Sequence, residues 1–160
     1  MNCIWLSIEA PDLAEIINGL SQKYGGPIFQ PHCTLVGRTD IPLSKLKSAI
    51  INLVVNHQLS ELHPLKINYT DSSWRALFIE LKEKQILTKW YKYTCELLAI
   101  EEDTEYFPHI SLMYNNLPNS EKKAISNNIQ LRAVYKIRSV QIVECSENIN
   151  NWNSVFELSI

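Results

Sequence analysis

The chain has 160 residues, of which 46% are hydrophobic and 20% charged, the size and composition of one globular domain. Its net charge of −2 lacks the basic excess with which proteins bind long nucleic acids, so we expect any nucleotide partner to be small. No apolar run reaches the ~20 residues of a membrane helix, and no basic leader precedes the first apolar segment, so we expect a cytoplasmic monomer that does not bind membranes.

Hydrophobic periodicity predicts the elements of the first half of the chain. Residues 2–9 alternate between apolar and polar, which predicts a strand. Pro11 begins a predicted helix, and Gly25 and Gly26 end it. The remaining predictions for this half are a short β-rich segment at 31–36, a helix at 43–56 and a strand at 64–70.

The same order of elements recurs in the second half. It is predicted to contain a strand at 74–81, a helix at 84–99, a short β-rich segment at 108–114, a short polar helix at 118–128, and strands at 131–138, 140–145 and 153–159. No linker rich in proline, glycine or serine separates the halves. We therefore predict a single domain, residues 1–160, with two lobes that correspond to internal repeats at about 1–72 and 73–160.

The β-rich segments of the two halves contain the same short motif, Pro-His-x-(Thr/Ser)-Leu. Residues i and i+2 of a strand point to the same face. His32 therefore shares a face with Thr34, and His109 shares a face with Ser111. Each copy of the motif is predicted to present an imidazole beside a hydroxyl.

This pair of groups suits the cleavage of a phosphate ester. Histidine can accept or donate a proton near neutral pH, and a hydroxyl can donate a hydrogen bond to a phosphoryl oxygen. A single His-x-Thr on a strand is usually structural, but the repeat of proline, histidine, hydroxyl and leucine in register favours a functional role. His57 and His63 lie in polar or loop segments, and we interpret them as surface histidines.

Other chemistries find less support in the sequence. The four cysteines contain no Cys-x-x-Cys pair, so we expect no zinc site and interpret them as reduced, buried residues: Cys3, Cys33, Cys95 and Cys145. There is no Gly-x-Ser-x-Gly nucleophile motif, no Gly-x-Gly-x-x-Gly motif and no Gly-x-x-x-x-Gly-Lys phosphate loop. The acidic run at 101–103 is interpreted as a solvated loop. We expect neither a metal nor a cofactor.

The repeated motif resembles that of the two-histidine phosphoesterase superfamily, and most closely its cyclic phosphodiesterase branch of plants and yeast. The similarity extends to Trp5 in the first strand, to the stretch 24–29 before the first motif and to the stretch 112–114 after the second. The resemblance implies an α+β fold that is bilobal and pseudo-twofold, in which two antiparallel sheets line a central cleft with helices outside.

The resemblance also implies an activity. It implies hydrolysis, without a metal, of ADP-ribose 1″,2″-cyclic phosphate and of nucleoside 2′,3′-cyclic phosphates to 2′-phosphates, in the metabolism of tRNA-splicing products. The residues that match the four catalytic positions are His32, Thr34, His109 and Ser111. Tyr114 matches an aromatic that borders the base or ribose, and Trp74 matches a second aromatic at the cleft, for which core packing is the other interpretation. The family often has glycine after this tyrosine, whereas Asn115 and Asn116 follow it here.

Two other functions stay open from the sequence alone. One is an RNA-end 2′,3′-cyclic phosphodiesterase or 2′–5′ RNA ligase of the same superfamily, which would use the same four residues on an RNA terminus. The other is a non-catalytic module that binds a nucleotide. The near-identity of the two motifs also leaves open which histidine is the base.

Overall fold

Eight strands and four α-helices form the fold in the computed structural model, which describes residues 1–160. The strands are β1 (Asn2–Glu9), β2 (His32–Thr39), β3 (Glu61–Leu62), β4 (Pro64–Tyr69), β5 (Leu77–Leu81), β6 (His109–Met113), β7 (Tyr135–Glu144) and β8 (Asn153–Ser159). The helices are α1 (Pro11–Tyr24), α2 (Leu43–Asn56), α3 (Lys84–Leu98) and α4 (Asn119–Asn127), with short 3-10 helices at Ser73–Arg75 and Ile149–Asn151. None of these helices combines the length and the hydropathy that a membrane span requires.

The strands form one antiparallel sheet in the order β3-β7-β1-β2-β6-β5-β4, and β8 pairs with β7. The predicted α+β class with antiparallel strands is confirmed. The expected two sheets are joined into one, because the two strands that carry the repeated motif lie side by side. Their pairing is limited to Cys33 opposite Ile110, so the sheet still consists of two groups of strands that meet at the motif strands.

The helices cover the face of the sheet that the alternating apolar residues predict. In β1, Ile4, Leu6 and Ile8 belong to the main hydrophobic core, together with buried residues of α1, α2 and α3. Cys3 and Trp5, at the alternate positions of β1, point to the opposite face, where they pack in a small separate cluster. The side chains of the motif histidines and hydroxyls lie on this second face.

The two groups of strands do not correspond to the two halves of the sequence that meet near residue 72. β1 pairs along its whole length with β7, which comes from the second half of the sequence. β4 comes from the first half and pairs with β5 of the second half. Each lobe therefore contains strands from both predicted repeats.

Three predicted elements differ in detail. Residues 135–144 form one continuous strand, where two strands were predicted, because Ser139 and Val140 continue the pairing with β1 without a turn. Trp74 lies in a 3-10 helix that precedes β5, and not in the strand predicted from residue 74. The two-residue strand β3 was not predicted, since it is too short to show a period.

All four cysteines are buried and free, as the sequence predicts. Cys33 and Cys95 lie in the main core. Cys3 and Cys145 lie on the opposite face with their Sγ atoms 2.9 Å apart, and burial raises the pKa of Cys3.

Candidate active site

The two motifs meet as neighbours in the sheet. Because β2 and β6 are antiparallel and Cys33 lies opposite Ile110, the register places His32 opposite Ser111 and Thr34 opposite His109. Both apolar residues between the histidine and the hydroxyl are fully buried in the main core, so the four polar side chains share the other face. Diagonal neighbours in an antiparallel pair are roughly 7–8 Å apart, a separation at which two imidazoles can approach one phosphate from two sides.

Each histidine is oriented by the same backbone contact. Nδ1 of His32 lies 2.6 Å from the carbonyl oxygen of Gln30, and Nδ1 of His109 lies 2.7 Å from the carbonyl oxygen of Phe107. A carbonyl oxygen only accepts, so Nδ1 of each ring carries the proton and donates it. In the neutral form, Nε2 of each ring then has a free lone pair. This tautomer is the one that a base acting through Nε2 requires.

His32 is enclosed by aromatic side chains and is 3% exposed. The ring of Trp5 stacks on it at a centroid distance of 3.6 Å and an interplanar angle of 12°, and Phe29 contacts it edge-on at 5.9 Å. Burial lowers the pKa of His32 to about 4, and the charge of His109 acts in the same direction, although the hydrogen bond to Gln30 opposes it. His32 is therefore neutral in the free protein at pH 7.

His109 has a different environment. It is partly exposed, and Phe78 contacts its ring edge-on at 5.2 Å. Burial lowers its pKa, the hydrogen bond to the Phe107 carbonyl raises it, and the positive charge of Arg75 lowers it further. The two chemically equivalent histidines therefore differ in exposure and in charged neighbours.

A cavity of about 610 Å³ opens beside this pair of strands. Its size is within the ~300–1,000 Å³ typical of sites for small organic ligands. Thr34 and His109, which lie opposite each other in the register, both line it, and so do Trp74 and Tyr114. The cavity thus borders one imidazole and one hydroxyl of the predicted set directly.

Tyr114 covers the other imidazole and hydroxyl. Its hydroxyl oxygen is 3.4 Å from Nε2 of His32, and burial raises the pKa of the tyrosine to about 12. Ser111 is 3% exposed, like His32. The ring of Tyr114 packs against Phe29 at 4.2 Å. A substrate phosphate that reached Nε2 of His32 would take the place of the tyrosine hydroxyl.

Trp74 lies at the rim of the cavity and is 51% exposed. Its ring meets that of Tyr114 edge-on at a centroid distance of 5.6 Å. This exposure contradicts the interpretation of Trp74 as a core residue. The structure therefore brings together all six side chains that the sequence predicted for the site: His32, Thr34, Trp74, His109, Ser111 and Tyr114.

The two asparagines after Tyr114 hold neighbouring loops. Nδ2 of Asn115 donates to the carbonyl oxygen of Tyr24 at 2.7 Å, and Nδ2 of Asn116 donates to the carbonyl oxygen of Asp71 at 2.9 Å. The first contact ties the loop that leads to Phe29, and the second ties the segment that leads to Trp74. Both loops supply aromatic rings around Tyr114, and a glycine at these positions would make neither contact.

Sequence reasoning missed three residues of the site. Trp5 was noted only as part of the family resemblance, and its stacking on His32 depends on its register position opposite Thr34. Arg38 also lines the cavity, but the register of β2 is irregular after Thr34 and Val36 lies in the main core, so the two-residue period of the motif does not lead to it. Arg75 also lines the cavity, but it lies in a 3-10 helix, so no strand period could place it.

The two remaining histidines lie apart from the cavity. His57 packs against Trp90 and Tyr93 and its Nε2 is buried, so this residue is partly buried although it lies in a polar segment. The side chain of His63 is 42% exposed and contacts Glu83. No three histidine, cysteine or carboxylate side chains lie close enough together to hold a metal ion.

Comparison with known proteins identifies the family and the fold. A family described as cyclic phosphodiesterase-like protein matches residues 5–160. Among solved structures, E. coli LigT in its apo form superposes with a TM-score of 0.67 at 13% identity, over 99% of this chain and 96% of LigT. LigT complexed with ATP gives a TM-score of 0.62 at 13% identity, over 99% and 98%. A protein described as a phosphoesterase gives 0.64 at 12% identity, over 99% and 97%. No curated protein sequence matches the chain.

Proposed function

The chain belongs to the cyclic phosphodiesterase-like family of two-histidine phosphoesterases, and from this premise we propose that it hydrolyses cyclic phosphates on small nucleotides. The substrates we propose are ADP-ribose 1″,2″-cyclic phosphate and nucleoside 2′,3′-cyclic phosphates, the latter opened to 2′-phosphates. The observation that supports this most directly is the antiparallel register that sets each imidazole opposite the hydroxyl of the other motif.

The proposed mechanism is in-line attack of water on the cyclic phosphorus. Nε2 of one histidine removes a proton from the water while Nε2–H of the other protonates the departing ribose oxygen. Thr34 and Ser111 donate hydrogen bonds to the non-bridging oxygens, on which negative charge accumulates. The backbone contacts at Nδ1 support both roles, because they leave Nε2 of each ring to exchange the proton.

Substrate binding raises the pKa of the imidazole that serves as the acid, so that this ring takes up a proton from solvent. Both histidine pKa values are lowered in the free protein. An anion within ~4–6 Å favours the charged form of an imidazole. A bound phosphate between the rings therefore raises their pKa values, and one ring takes up a proton while the other stays neutral because two adjacent cations repel.

The aromatic rings of the site suit a nucleoside. Trp74 is exposed at the rim, where a base can stack on its face, and base–aromatic stacking contributes ~1–3 kcal/mol per base. Structures of E. coli LigT have been solved with ATP, 3′-AMP and NADP⁺. By analogy, we propose a nucleotide-sized substrate for this chain, and we propose that the reaction needs no metal because two imidazoles and two hydroxyls supply the acid, base and hydrogen-bond donors.

The roles of the histidines are tested by substitution. We expect His32→Ala and His109→Ala each to lower kcat by ~10²–10⁴-fold, the usual effect of losing a general acid or base. The double variant should cost less than the product of the two, because the residues act as a unit. His63→Ala is the matched control, since His63 lies outside the cavity and its side chain is partly exposed. Near-native turnover by either single variant would refute the two-histidine mechanism.

The substrate class is tested with a panel of cyclic phosphates, assayed in the presence of a strong chelator. The panel contains ADP-ribose 1″,2″-cyclic phosphate, nucleoside 2′,3′-cyclic phosphates and an RNA that ends in a cyclic phosphate. We expect turnover of the small compounds. Preferential cleavage of the RNA would favour the RNA-end enzyme, binding without turnover would favour a non-catalytic module, and activity restored only by added metal would contradict the metal-free mechanism.

A further inference from the structure

The cavity contains two arginines that the proposed mechanism does not use. Arg38 comes from the end of β2, and Arg75 comes from the 3-10 helix between β4 and β5. Both line the same cavity as Thr34 and His109. They approach it from different elements, so two parts of the cavity wall carry an arginine.

These arginines differ from the other arginines of the chain in their ion pairing. The chain has four arginines. Arg132 pairs with Asp12 at 3.4 Å and Arg138 pairs with Glu157 at 3.6 Å. Neither Arg38 nor Arg75 has a carboxylate oxygen within the 4.0 Å of a salt bridge. The two arginines at the cavity are therefore the two whose charges are not neutralised by the protein.

Arg38 is nevertheless held in place. Its Nη2 donates to the carbonyl oxygen of Ser146 at 3.1 Å, and its guanidinium lies over the ring of Trp152 at 5.7 Å from the centroid. Both partners are neutral, so they orient the side chain and leave its positive charge available. An oriented, unpaired guanidinium is suited to bind a phosphate.

The negative charges of the cavity wall lie elsewhere. Asp103 and Glu105 line it from the loop between α3 and β6, and neither forms a salt bridge with Arg38 or Arg75. An anionic group on a ligand is therefore attracted toward the arginines and repelled from this loop.

We propose that Arg38 and Arg75 form a second phosphate subsite, which binds a phosphate group other than the cyclic one under attack. This inference rests on the proposed function and narrows its substrate class to cyclic phosphates that carry a further phosphate or a pyrophosphate. The reacting phosphate occupies Thr34, Ser111 and the histidines, and the second phosphate lies farther along the cavity. Nucleosides that carry only the cyclic phosphate leave this subsite empty and are the poorer substrates.

The test compares two substrates that differ by one group: a nucleoside 2′,3′-cyclic phosphate with a free 5′-hydroxyl, and the same compound with a 5′-phosphate. We expect the wild type to favour the 5′-phosphorylated compound in kcat/KM by about tenfold or more, the value of one charge-assisted hydrogen bond. We expect Arg38→Gln and Arg75→Gln each to lower this ratio severalfold, and the double variant to bring it near one. Arg138→Gln is the matched control, because this arginine pairs with Glu157 outside the cavity.

The ratio of the two kcat/KM values distinguishes a failure of the second subsite from a failure of the proposed function. If the wild type opens both compounds with equal kcat/KM, the second subsite is refuted while the proposed function stands. If Arg38→Gln and Arg75→Gln slow both compounds by the same factor, the arginines serve the reacting phosphate or the fold, and the subsite is again refuted. If the wild type opens neither compound, the proposed function fails and this inference fails with it. Thermal unfolding of each variant identifies any loss of folding.

Discussion

The two motif histidines are equivalent in the sequence but not in their surroundings. Each donates Nδ1–H to the carbonyl two residues before it, which the local strand geometry repeats in both copies. Around His32, however, the structure places the rings of Trp5 and Phe29 and the hydroxyl of Tyr114. His109 borders the open cavity instead. The repeated motif fixes the orientation of each imidazole, and residues distant in sequence fix its solvation.

The sequence could predict those site residues that belong to the repeated motif, but not those that tertiary contacts bring to it. The four motif residues could be identified because their chemistry and spacing recur in two segments. Trp5 and Arg75 could not be assigned roles, because their proximity to His32 and His109 depends on strand pairing and on a 3-10 helix, neither of which leaves a periodic signal. The contribution of Arg75 to the pKa of His109 is likewise a property of the folded chain.

The histidine pKa values predict an acidic pH optimum. Both are lowered from about 6.5, that of His32 to about 4. The productive form of the free enzyme has one neutral and one protonated imidazole, so it is most populated between the two values. We expect kcat/KM to follow a bell-shaped curve with its maximum below pH 6.5, the two limbs belonging to the coupled pair.

A pH–rate profile from pH 3.5 to 9 measures this. Arg75→Gln removes a positive charge that lowers the pKa of His109, so the profile should move to higher pH in this variant, whereas Arg138→Gln should leave it in place. A maximum at pH 8 in the wild type would contradict this prediction, because it would show that burial does not lower the pKa values of the two imidazoles.

At the scale of elements, the long periodic segments could be predicted and the short connections could not. Helices α1, α2 and α3 have apolar stripes that bury against the sheet, and their bounds agree closely with the sequence. The strand predicted at 74–81 includes Trp74 because no break in the sequence separates this residue from β5. In the structure, Ser73–Arg75 instead form a 3-10 helix, which puts Trp74 at the rim of the cavity. Three residues carry too little periodicity to distinguish the two.

The loop between α1 and β2 depends on close backbone approach. Gly26 has a φ of +98°, and a Cβ at this position would lie 3.2 Å from Cβ of Asn115. The same loop is held by the hydrogen bond from Asn115 to the carbonyl of Tyr24. Glycine is therefore required here both for its conformation and for its lack of a side chain.

We expect Gly26→Ala to lower the free energy of unfolding by ~1–2 kcal/mol, because alanine is strained at positive φ and must also push Asn115 aside. Gly19→Ala is the matched control. Gly19 lies within α1 with no atom within 4 Å of the added Cβ, so this change should stabilise the protein by ~0.5–1 kcal/mol through helix propensity. Chemical denaturation of both variants measures the difference, and equal effects would argue against a tight loop.

The arrangement of the whole molecule is the feature that the sequence reveals least. The repeated order of elements predicts two lobes that correspond to the two halves of the sequence, whereas the strand pairing crosses that division in both directions. β1 has β2 on one side and β7 on the other, and β4 has only β5 as its neighbour in the sheet. Nothing in the local period of a strand specifies its partner, so this exchange follows from tertiary packing alone.

The exchange predicts that the chain folds as one cooperative unit. A fragment of residues 1–72 contains β1 without β7, which exposes the backbone hydrogen-bonding groups along the whole of one strand edge, and it contains β4 without β5. It also lacks α3, which supplies part of the main core. We expect this fragment and its complement, 73–160, each to be unfolded alone, while the full chain unfolds in a single transition.

Denaturant titrations measure this with two probes, far-UV circular dichroism for the backbone and tryptophan fluorescence for tertiary packing. The two curves should coincide for the full chain, and neither fragment should give a sigmoidal transition. Mixing the two fragments should restore part of the native signal, because together they contain every strand pair of the sheet. A cooperative transition in the isolated 1–72 fragment would show that the predicted repeats are separate folding units and that the exchanged strands contribute little to stability.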